Sequence, residues 1–457
     1  MWIPEVLYVD GTFKKAVAVS VDDAGRIERL GAVDDLNRAT RLKNRALLPG
    51  MVNAHSHAFQ RVIRARTEYR TSTNDSFWTW REMMYLAANR LDAEDIYDAS
   101  RMAFLEMALS GITSVGEFHY LHHAPDGTSY EDPNLLSKEV VRAARDVGLR
   151  ITLLRVAYAR AGFNALENPK QKRFIELDPD SFLVNYDQLA DYFATDEMVT
   201  TGIAPHSVRA LPLQYLREIV GHARSRKAPV HMHVAEQQAE VAACMTEHGR
   251  SPVELLATEG LLSNRFTAVH AIHVEENCAR LLASAGSMVC ACPTTERNLG
   301  DGIIPADMYL KLGVPMCLGT DSQVQIELLE DARELEYHIR LQRQQRVVLA
   351  PAEEAERSVL ATRLFDAVTR HGADSLGFSS GVVHEGEAAD FFTVDLDDPS
   401  IAGAQDEDLL AVIVFSSSRS AVRDVFVGGK QIVTDGRHRD QDEIIQRFRR
   451  LQRKLWA

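Results

Sequence analysis

The sequence predicts a (β/α)₈ barrel of the TIM type, joined to a small β-sandwich domain that is built from both ends of the chain. Three observations lead to this prediction. In the middle of the chain, apolar β-branched segments alternate with helical patterns about eight times. Histidine and acidic residues recur where those segments end. In a barrel of this type, functional side chains lie at the C-terminal ends of the strands. Both ends of the chain contain short strand-like segments separated by glycine-containing turns.

The predicted barrel strands are apolar runs that end in polar residues, as buried parallel strands do. They are Ala46 to His57, Ile112 to His119, Arg150 to Val156, Val199 to His206, Ala228 to Glu236, Phe266 to His273, Ser287 to Pro293 and Gly313 to Asp321. Helical patterns lie between most of them, including Ala93 to Ser110, Leu136 to Val147, Leu213 to Arg226 and Ser251 to Gly260.

The domain organisation follows from where these patterns change. We expect residues 46–380 to form the barrel, which would be the catalytic domain. Residues 1–45 and 381–440 would form the two parts of the β-sandwich domain. Residues 441–457 would be a charged C-terminal helix, predicted from Gln441 to Lys454.

Composition and charge exclude several classes of protein. With 457 residues, 46% of them hydrophobic and 25% charged, the chain has the balance of a soluble globular protein and not of a disordered one. The net charge of −14 and the absence of a dense Lys/Arg tract argue against nucleic-acid or anionic-lipid partners. An anionic ligand would therefore need specific arginines.

Location and redox state follow from equally simple patterns. The N-terminal residues lack the pattern of a secretory signal, and no apolar run is long enough to span a membrane, so we expect a cytoplasmic protein without membrane partners. The five cysteines form no C-x-x-C pair and lie mostly in apolar runs. They are interpreted as reduced, buried thiols.

Potential metal ligands are the strongest chemical signal. His55 and His57 are separated by one residue at a strand end, so strand alternation points both imidazoles to the same side. His233 and His270 lie at the ends of the fifth and sixth predicted strands, and Asp321 ends the eighth. Three histidines and one aspartate suit a borderline divalent ion such as zinc, with one exchangeable position left for water.

These motifs, Pro49-Gly50-Met51-Val52-Asn53-Ala54-His55-Ser56-His57, His-Val-Ala-Glu, Val-His-Ala and Gly-Thr-Asp-Ser, resemble the amidohydrolase superfamily over the whole chain. The resemblance implies that His55, His57, His233 and Asp321 bind the metal and that His270 lies beside it. Two-metal members carry a bridging lysine at the end of strand four, but residues 199–209 contain no lysine. This departure favours one ion, most simply Zn²⁺.

The spacing of His233 and Glu236 resembles the deaminase branch, in which the glutamate shuttles protons beside the metal. The alternative is an acidic residue that merely opens the next helix, where the helix dipole also favours glutamate. Because His233 is itself a predicted ligand, a catalytic role for Glu236 is preferred. His231 shares the face of His233 but should lie deeper in the barrel, so it is left out of the site.

Narrower motifs, Ala58-Phe59-Gln60-Arg61, Trp78-Thr79-Trp80-Arg81, Glu117-Phe118-His119-Tyr120 and Pro205-His206-Ser207-Val208-Arg209, are similar to the formimidoylglutamate deiminase family of that superfamily. That substrate carries two carboxylates, which guanidinium groups pair bidentately, and Arg81 and Arg209 are the candidates. The resemblance adds Gln60, Tyr120 and His206 as polar substrate contacts. Each of these residues could instead be structural: a solvated helix face, a core ring or a strand cap.

The resemblance implies metal-dependent hydrolysis of N-formimino-L-glutamate to N-formyl-L-glutamate and ammonia, a step of histidine degradation. Asp321 and His270 would orient and deprotonate the attacking water, and Glu236 would handle the substrate nitrogen. One alternative is another deaminase of the superfamily, acting on a heterocycle such as guanine or a triazine. A more distant alternative is a noncatalytic binding barrel, which would be expected to have lost part of this set. A homodimer is expected from the resemblance alone.

Overall fold

The structure is a computed structural model that describes residues 1–31, 39–70, 76–163, 165, 168–351 and 358–457. Its strands, in chain order, are β1 Trp2–Val9, β2 Thr12–Lys15, β3 Ala18–Val21, β4 Ile27–Gly31, β5 Thr40–Pro49, β6 Met51–Ser56, β7 Ile112–His119, β8 Arg150–Ala157, β9 Val199–Pro205, β10 Val230–Val234, β11 Phe266–His270, β12 Met288–Ala291, β13 Met316–Leu318, β14 Phe391–Asp395, β15 Val422–Val427, β16 Lys430–Thr434 and β17 Arg437–His438.

The α-helices of the described residues are α1 Phe77–Ala88, α2 Ala93–Leu109, α3 Leu135–Val147, α4 Pro179–Phe193, α5 Leu213–Arg226, α6 Gln238–His248, α7 Pro252–Thr258, α8 Glu276–Ala285, α9 Pro293–Leu299, α10 Ala306–Lys311, α11 Leu328–Arg343, α12 Val359–Ala367, α13 Arg370–Leu376, α14 Leu409–Ser416 and α15 Gln441–Trp456. Short 3₁₀ helices span Ala58–Ile63, Pro169–Gln171 and Arg419–Ala421.

Eight parallel strands, β6 to β13, lie side by side in chain order. A bridge between Ser56 and Asp321 brings the two ends of this sheet together into a nearly closed barrel. Because all the strands are parallel, their C-terminal ends gather at one end of the barrel, where ligand sites form. The predicted barrel is confirmed.

A second, nine-stranded sheet combines β1 to β5 with β14 to β17. Its two parts meet where β5 pairs antiparallel with β14, so residues from both ends of the chain share one ladder. A small apolar core that includes Leu7, Leu47 and Phe391 lies within it. The prediction that both ends of the chain contribute to one β-structure is therefore confirmed.

One predicted strand differs from the observed structure. The segment from Ala46 to His57 is two strands: residues up to Pro49 belong to β5 of the terminal sheet, and β6 of the barrel begins at Met51. Gly50 separates them and packs so tightly that a Cβ there would lie 2.2 Å from the Thr113 hydroxyl. A continuous apolar run conceals this change of sheet because both strands are buried.

Two expectations from composition concern the described residues. The five cysteines are free and buried, as predicted. In the described part of the chain, no helix combines the length and the apolar character that crossing a bilayer would require.

Candidate active site

Four side chains converge at the C-terminal end of the barrel. His55 lies on β6, His57 follows it, His233 lies on β10 and Asp321 follows β13. All four are buried, and one nitrogen or oxygen atom from each lies within 4.8 Å of the others. The Oδ1 atom of Asp321 is 3.3 Å from His57 Nε2 and 3.5 Å from His55 Nε2, and His55 Nε2 is 3.2 Å from His233 Nε2.

Hydrogen bonds on the outer sides of the rings orient two of these imidazoles. His57 Nδ1 lies 2.8 Å from the carbonyl oxygen of Phe118, and His233 Nδ1 lies 3.1 Å from that of His206. A carbonyl oxygen accepts a hydrogen bond from Nδ1–H, so each Nε2 is unprotonated and directs a lone pair at the centre of the cluster. His55 Nδ1 has no partner among the described residues. Converging lone pairs beside a carboxylate fit a borderline divalent cation such as zinc.

The electrostatics agree with this donor set. Burial lowers the pKa of His55 to about 3, and it also lowers the pKa values of His57 and His233. The three rings are therefore neutral at physiological pH, as ligands must be. Burial opposes ionisation of Asp321, but the hydrogen bond with His55 and the neighbouring imidazoles outweigh it and lower the pKa of this carboxyl.

The seam of the barrel runs through this cluster. The amide of Asp321 donates to the carbonyl of His55, and the amide of His57 donates to the carbonyl of Asp321. Asp321 has a left-handed backbone with φ 48°, an unfavourable conformation for a non-glycine residue that is typical of functional sites. Gly319 makes the approach possible, since a Cβ there would lie 2.7 Å from Cβ of His55.

Glu117, at the end of β7, supports the segment that carries the first two histidines. Its carboxyl group accepts hydrogen bonds from the Ser56 hydroxyl and the Ala58 amide, both at 2.6 Å. These two residues flank His57, so Glu117 fixes the chain on both sides of it. The sequence motif contained Glu117, but nothing in it indicated this role.

A second group of charged side chains adjoins the cluster. His270 Nε2 lies 3.8 Å from both Glu236 Oε1 and Asp321 Oδ2, and His270 Nδ1 lies 3.3 Å from Glu296 Oε1. Burial opposes the charge of this imidazole, but the carboxylates of Glu236, Glu296 and Asp321 raise the pKa of His270 to about 10. Burial also raises the pKa of Glu236. The carboxylates on both sides favour His270 as a hydrogen-bond donor, whereas the sequence analysis expected it to help deprotonate water.

A cavity of about 540 Å³ opens next to these residues. It brings together the predicted metal, catalytic and substrate-binding residues except His55, which is fully buried behind them. Its lining consists of His57, Gln60, Phe77, Trp80, Arg81, Met84, Tyr85, Tyr120, Tyr158, Phe174, His206, Arg209, His233, Glu236, His270, Leu299 and Asp321. His231 is not among them; its ring contacts the Ser375 carbonyl, deeper in the barrel.

Helix α1 forms one wall of the cavity. Ser76 caps its N-terminus by accepting a hydrogen bond from the Trp78 amide. Phe77, Arg81 and Tyr85 follow one another at four-residue intervals, so they lie on one face of the helix, and all three line the cavity. The guanidinium of Arg81 lies 4.5 Å from the centre of the Trp78 ring.

The two predicted arginines share an unusual feature. Arg81 Nε and Nη1 and Arg209 Nη1 are buried and have no hydrogen-bond partner among the described residues. Most buried polar groups in proteins are paired, and buried guanidinium groups without a partner are costly. Two such groups in one cavity indicate a site for anionic groups of a ligand.

Three further predicted residues, Gln60, Tyr120 and His206, line the same cavity. Gln60 Nε2 donates to the Tyr120 hydroxyl at 2.9 Å, and the Tyr120 ring packs edge-on against His57. The His206 ring packs 4.8 Å from that of His233, and the carbonyl of His206 accepts from the same histidine. Gln60 Oε1 is buried and has no partner among the described residues. Their roles as substrate contacts remain predictions.

Three residues in or next to the cavity were not predicted from the sequence. Tyr85 lies four residues after Arg81, a spacing that places both on one face of helix α1. Tyr158 directly follows β8 at the end where the other site residues gather. Glu296 lies in α9 and contacts Nδ1 of His270. No spacing in the sequence connects these two residues.

Comparisons with known proteins agree with this architecture. Residues 46–432 match the family model described as "Amidohydrolase family". The chain is 38% identical over 405 residues to formimidoylglutamate deiminase of Pseudomonas aeruginosa, covering 88% of each protein. It is 28% identical to a 5-methylthioadenosine/S-adenosylhomocysteine deaminase of Natronomonas pharaonis, over 96% of this chain and 93% of the other. A crystal structure of an amidohydrolase from Brucella melitensis superimposes with a TM-score of 0.91 at 33% identity and covers 99% of both chains.

Proposed function

This chain belongs to the amidohydrolase family and is a metal-dependent hydrolase acting on C–N bonds, and we propose that its substrate is N-formimino-L-glutamate. The products would be N-formyl-L-glutamate and ammonia. The observation that carries the proposal is a pair of arginines with buried, unpartnered N–H groups, Arg81 and Arg209, in the cavity of the metal cluster. A substrate with two carboxylates supplies a partner for each guanidinium.

The net charge of the chain sharpens this argument. A protein of net charge −14 repels dianions in general, so binding one requires local cations at the site. A neutral purine would leave the buried N–H groups of both guanidiniums without an acceptor. The similarity to the Pseudomonas aeruginosa enzyme supports the same substrate, while the relatives that deaminate methylthioadenosine define the competing reaction.

The residues of the cluster have distinct parts in the proposed mechanism. When held by His55, His57, His233 and Asp321, a divalent ion would supply Lewis acidity and lower the pKa of water at the site. Asp321 accepts a proton from the attacking water. His270 Nε2 lies 3.8 Å from the carboxylates of both Glu236 and Asp321, so a charged imidazole there would hold them in place electrostatically.

Glu236 completes the proton balance. Burial raises the pKa of this carboxyl, so it can hold a proton and release it within the cavity. It would deliver protons to the formimino nitrogen while the carbon–nitrogen double bond is replaced by a carbon–oxygen double bond. Both hydrogens of the water end on the leaving nitrogen, which departs as ammonia.

The substrate assignment is tested by ammonia release. The purified protein is expected to release ammonia from formiminoglutamate and not from guanine, cytosine or methylthioadenosine, and a chelator is expected to abolish the activity. Arg81→Met and Arg209→Met should each cost about 2 to 4 kcal/mol in kcat/KM for formiminoglutamate, with only partial rescue by lysine. The neutral diamide analogue should be a poor substrate and should lose little more in these variants.

Arg217→Met is the matched control, because Arg217 pairs with Glu259 on the surface, away from the cavity. This variant should retain wild-type kinetics. Equal losses for the charged and the neutral substrate in both cavity variants would mean that the arginines support the fold. Ammonia release from a heterocycle in preference to formiminoglutamate would transfer the assignment to the competing deaminase reaction.

A further inference from the structure

Two tyrosines and a glutamine stand beside the arginines and have no part in the mechanism above. Tyr85 comes from helix α1, Tyr158 from the end of β8, and Gln171 from the 3₁₀ helix Pro169–Gln171. Each is at most 3% exposed, and both tyrosines line the cavity. Polar groups from three separate parts of the chain therefore meet at one place beside the cavity.

The hydrogen bonds at this point run in one direction. Gln171 Nε2 donates to the Tyr85 hydroxyl at 2.6 Å and to the Tyr158 hydroxyl at 2.8 Å. A tyrosine hydroxyl has one proton to donate as well as lone pairs to accept with. Among the described residues, neither hydroxyl donates its proton to any acceptor. Both O–H groups are thus left available to a ligand.

The orientation of the Gln171 side-chain amide decides in which direction these two hydrogen bonds run. Gln171 Oε1 has no partner among the described residues. If the amide were reversed, its NH₂ group would occupy that position and leave two buried N–H donors unpaired instead of one acceptor. In the structure both N–H groups of the amide are paired, with the two tyrosine hydroxyls as their acceptors.

The neighbouring charges indicate what the two hydroxyls would bind. The charges of Arg81 and Arg209 interact electrostatically with Tyr85, and Arg209 interacts in the same way with Tyr158. The Arg81 guanidinium lies 5.5 Å from the centre of the Tyr85 ring, and both tyrosines line the same cavity as the two arginines. Arg81 Nε and Nη1 and Arg209 Nη1 are unpaired among the described residues. Guanidinium and hydroxyl donors directed into one cavity without an acceptor among them match the oxygens of a carboxylate.

We propose that Tyr85 and Tyr158 are specificity-determining residues that donate their hydroxyl protons to a substrate carboxylate. Gln171 is their positioning residue, because its single NH₂ group accounts for one lone pair of each hydroxyl and turns both protons toward the cavity. The inference rests on the proposed function for the identity of the substrate, but the carboxylate itself follows from the donors.

The test measures binding of glutarate, a dicarboxylate without a formimino group, and of its neutral diamide by titration calorimetry on the full chain. Tyr85→Phe and Tyr158→Phe should each weaken glutarate binding by about 10- to 100-fold, the range for a hydrogen bond to a charged group. Gln171→Met should weaken it by about 2- to 10-fold. Binding of the diamide should change little in all three variants, and with formiminoglutamate KM should rise while kcat stays within about twofold.

Tyr186→Phe is the control, because Tyr186 is as deeply buried, hydrogen-bonds to Thr201 and lies outside the cavity. It should bind glutarate like the wild type. Lower melting temperatures with unchanged glutarate affinity in the Tyr85 and Tyr158 variants would overturn the inference, and so would a wild type that binds no glutarate. Selective loss of glutarate binding in a protein that releases no ammonia from formiminoglutamate would support the inference and refute the proposed substrate.

Discussion

The two halves of the cavity differ in what holds their functional side chains. The metal half comprises His55, His57, His233, Glu236, His270 and Asp321, on or just after barrel strands. The carboxylate half comprises Arg81, Tyr85, Tyr158, Gln171 and Arg209, contributed by a helix, a 3₁₀ helix and the loops after β8 and β9. In the first half, Nδ1 of His57 and Nδ1 of His233 hydrogen-bond to backbone carbonyls. In the second half, Arg81 Nε and Nη1 and Arg209 Nη1 have no partner among the described residues.

The two halves therefore depend on a ligand to different degrees. In the metal half, strand ends and backbone carbonyls hold the imidazoles in place without a substrate. The carboxylate half is completed only by a ligand, since its donors outnumber its acceptors. Changes in the metal half should therefore act on the ion and on kcat, and changes in the carboxylate half should act on substrate affinity.

The largest effect is expected from removing two ligands of the metal half. The wild type should contain about one divalent ion per chain, and the double variant His55→Ala with His57→Ala should contain none and be inactive. Elemental analysis of the purified proteins measures this. His231→Gln is the control, because His231 lies on the same strand as His233 but contacts the Ser375 carbonyl instead. Two tightly held ions, or an ion retained by the double variant, would contradict the assignment.

The next effect isolates chemistry from metal binding. Glu236→Gln keeps the shape of the side chain but removes its titrating group, so turnover should fall by at least about 10² while the ion and KM are retained. Steady-state kinetics on metal-replete protein provide the measurement. Glu276→Gln is the matched control, because Glu276 opens helix α8 as an exposed acid. Near-normal turnover in Glu236→Gln would return Glu236 to the role of a helix-start residue.

The smallest effect on turnover concerns the support behind the carboxylate half. Buried Arg155 holds the carboxylate of Glu176, whose amide bonds to the carbonyl of Tyr158. Burial opposes ionisation of Glu176, but Arg155 outweighs it and lowers the pKa to about 2. The stabilisation is thus complete above the ordinary glutamate pKa of 4.5 and is lost as the pH falls toward 2.

Glu176→Gln should therefore lower the free energy of unfolding by about 3 kcal/mol near pH 7, with kcat little changed. The difference from wild type should shrink as the pH is lowered from 5 toward 2. Denaturant unfolding at several pH values tests this, with Glu218→Gln as a partly exposed control. A difference that does not depend on pH would mean that the ionised pair is not the source of the stability.

The sequence places the residues of the metal half at one end of the barrel and names only part of the carboxylate half, for a physical reason. Strand alternation and strand ends are local patterns, so His55, His57 and Asp321 could be assigned to one end of the barrel before the structure was known. Gln171 lies far along the chain from Tyr85, and only tertiary packing joins them. Similarly, the switch of sheet at Gly50 depends on contact with Thr113, which no local pattern encodes.

The seam between Ser56 and Asp321 has a consequence for how the chain folds. It joins the first and last strands of the barrel, so it closes a very long loop and should form late. His55, His57 and Asp321 sit on opposite sides of that seam. An ion that needs all of them can bind only after closure, so by mass action it stabilises the closed chain and not its unfinished precursors. Metal supply during synthesis would then set the yield of folded protein as well as its activity.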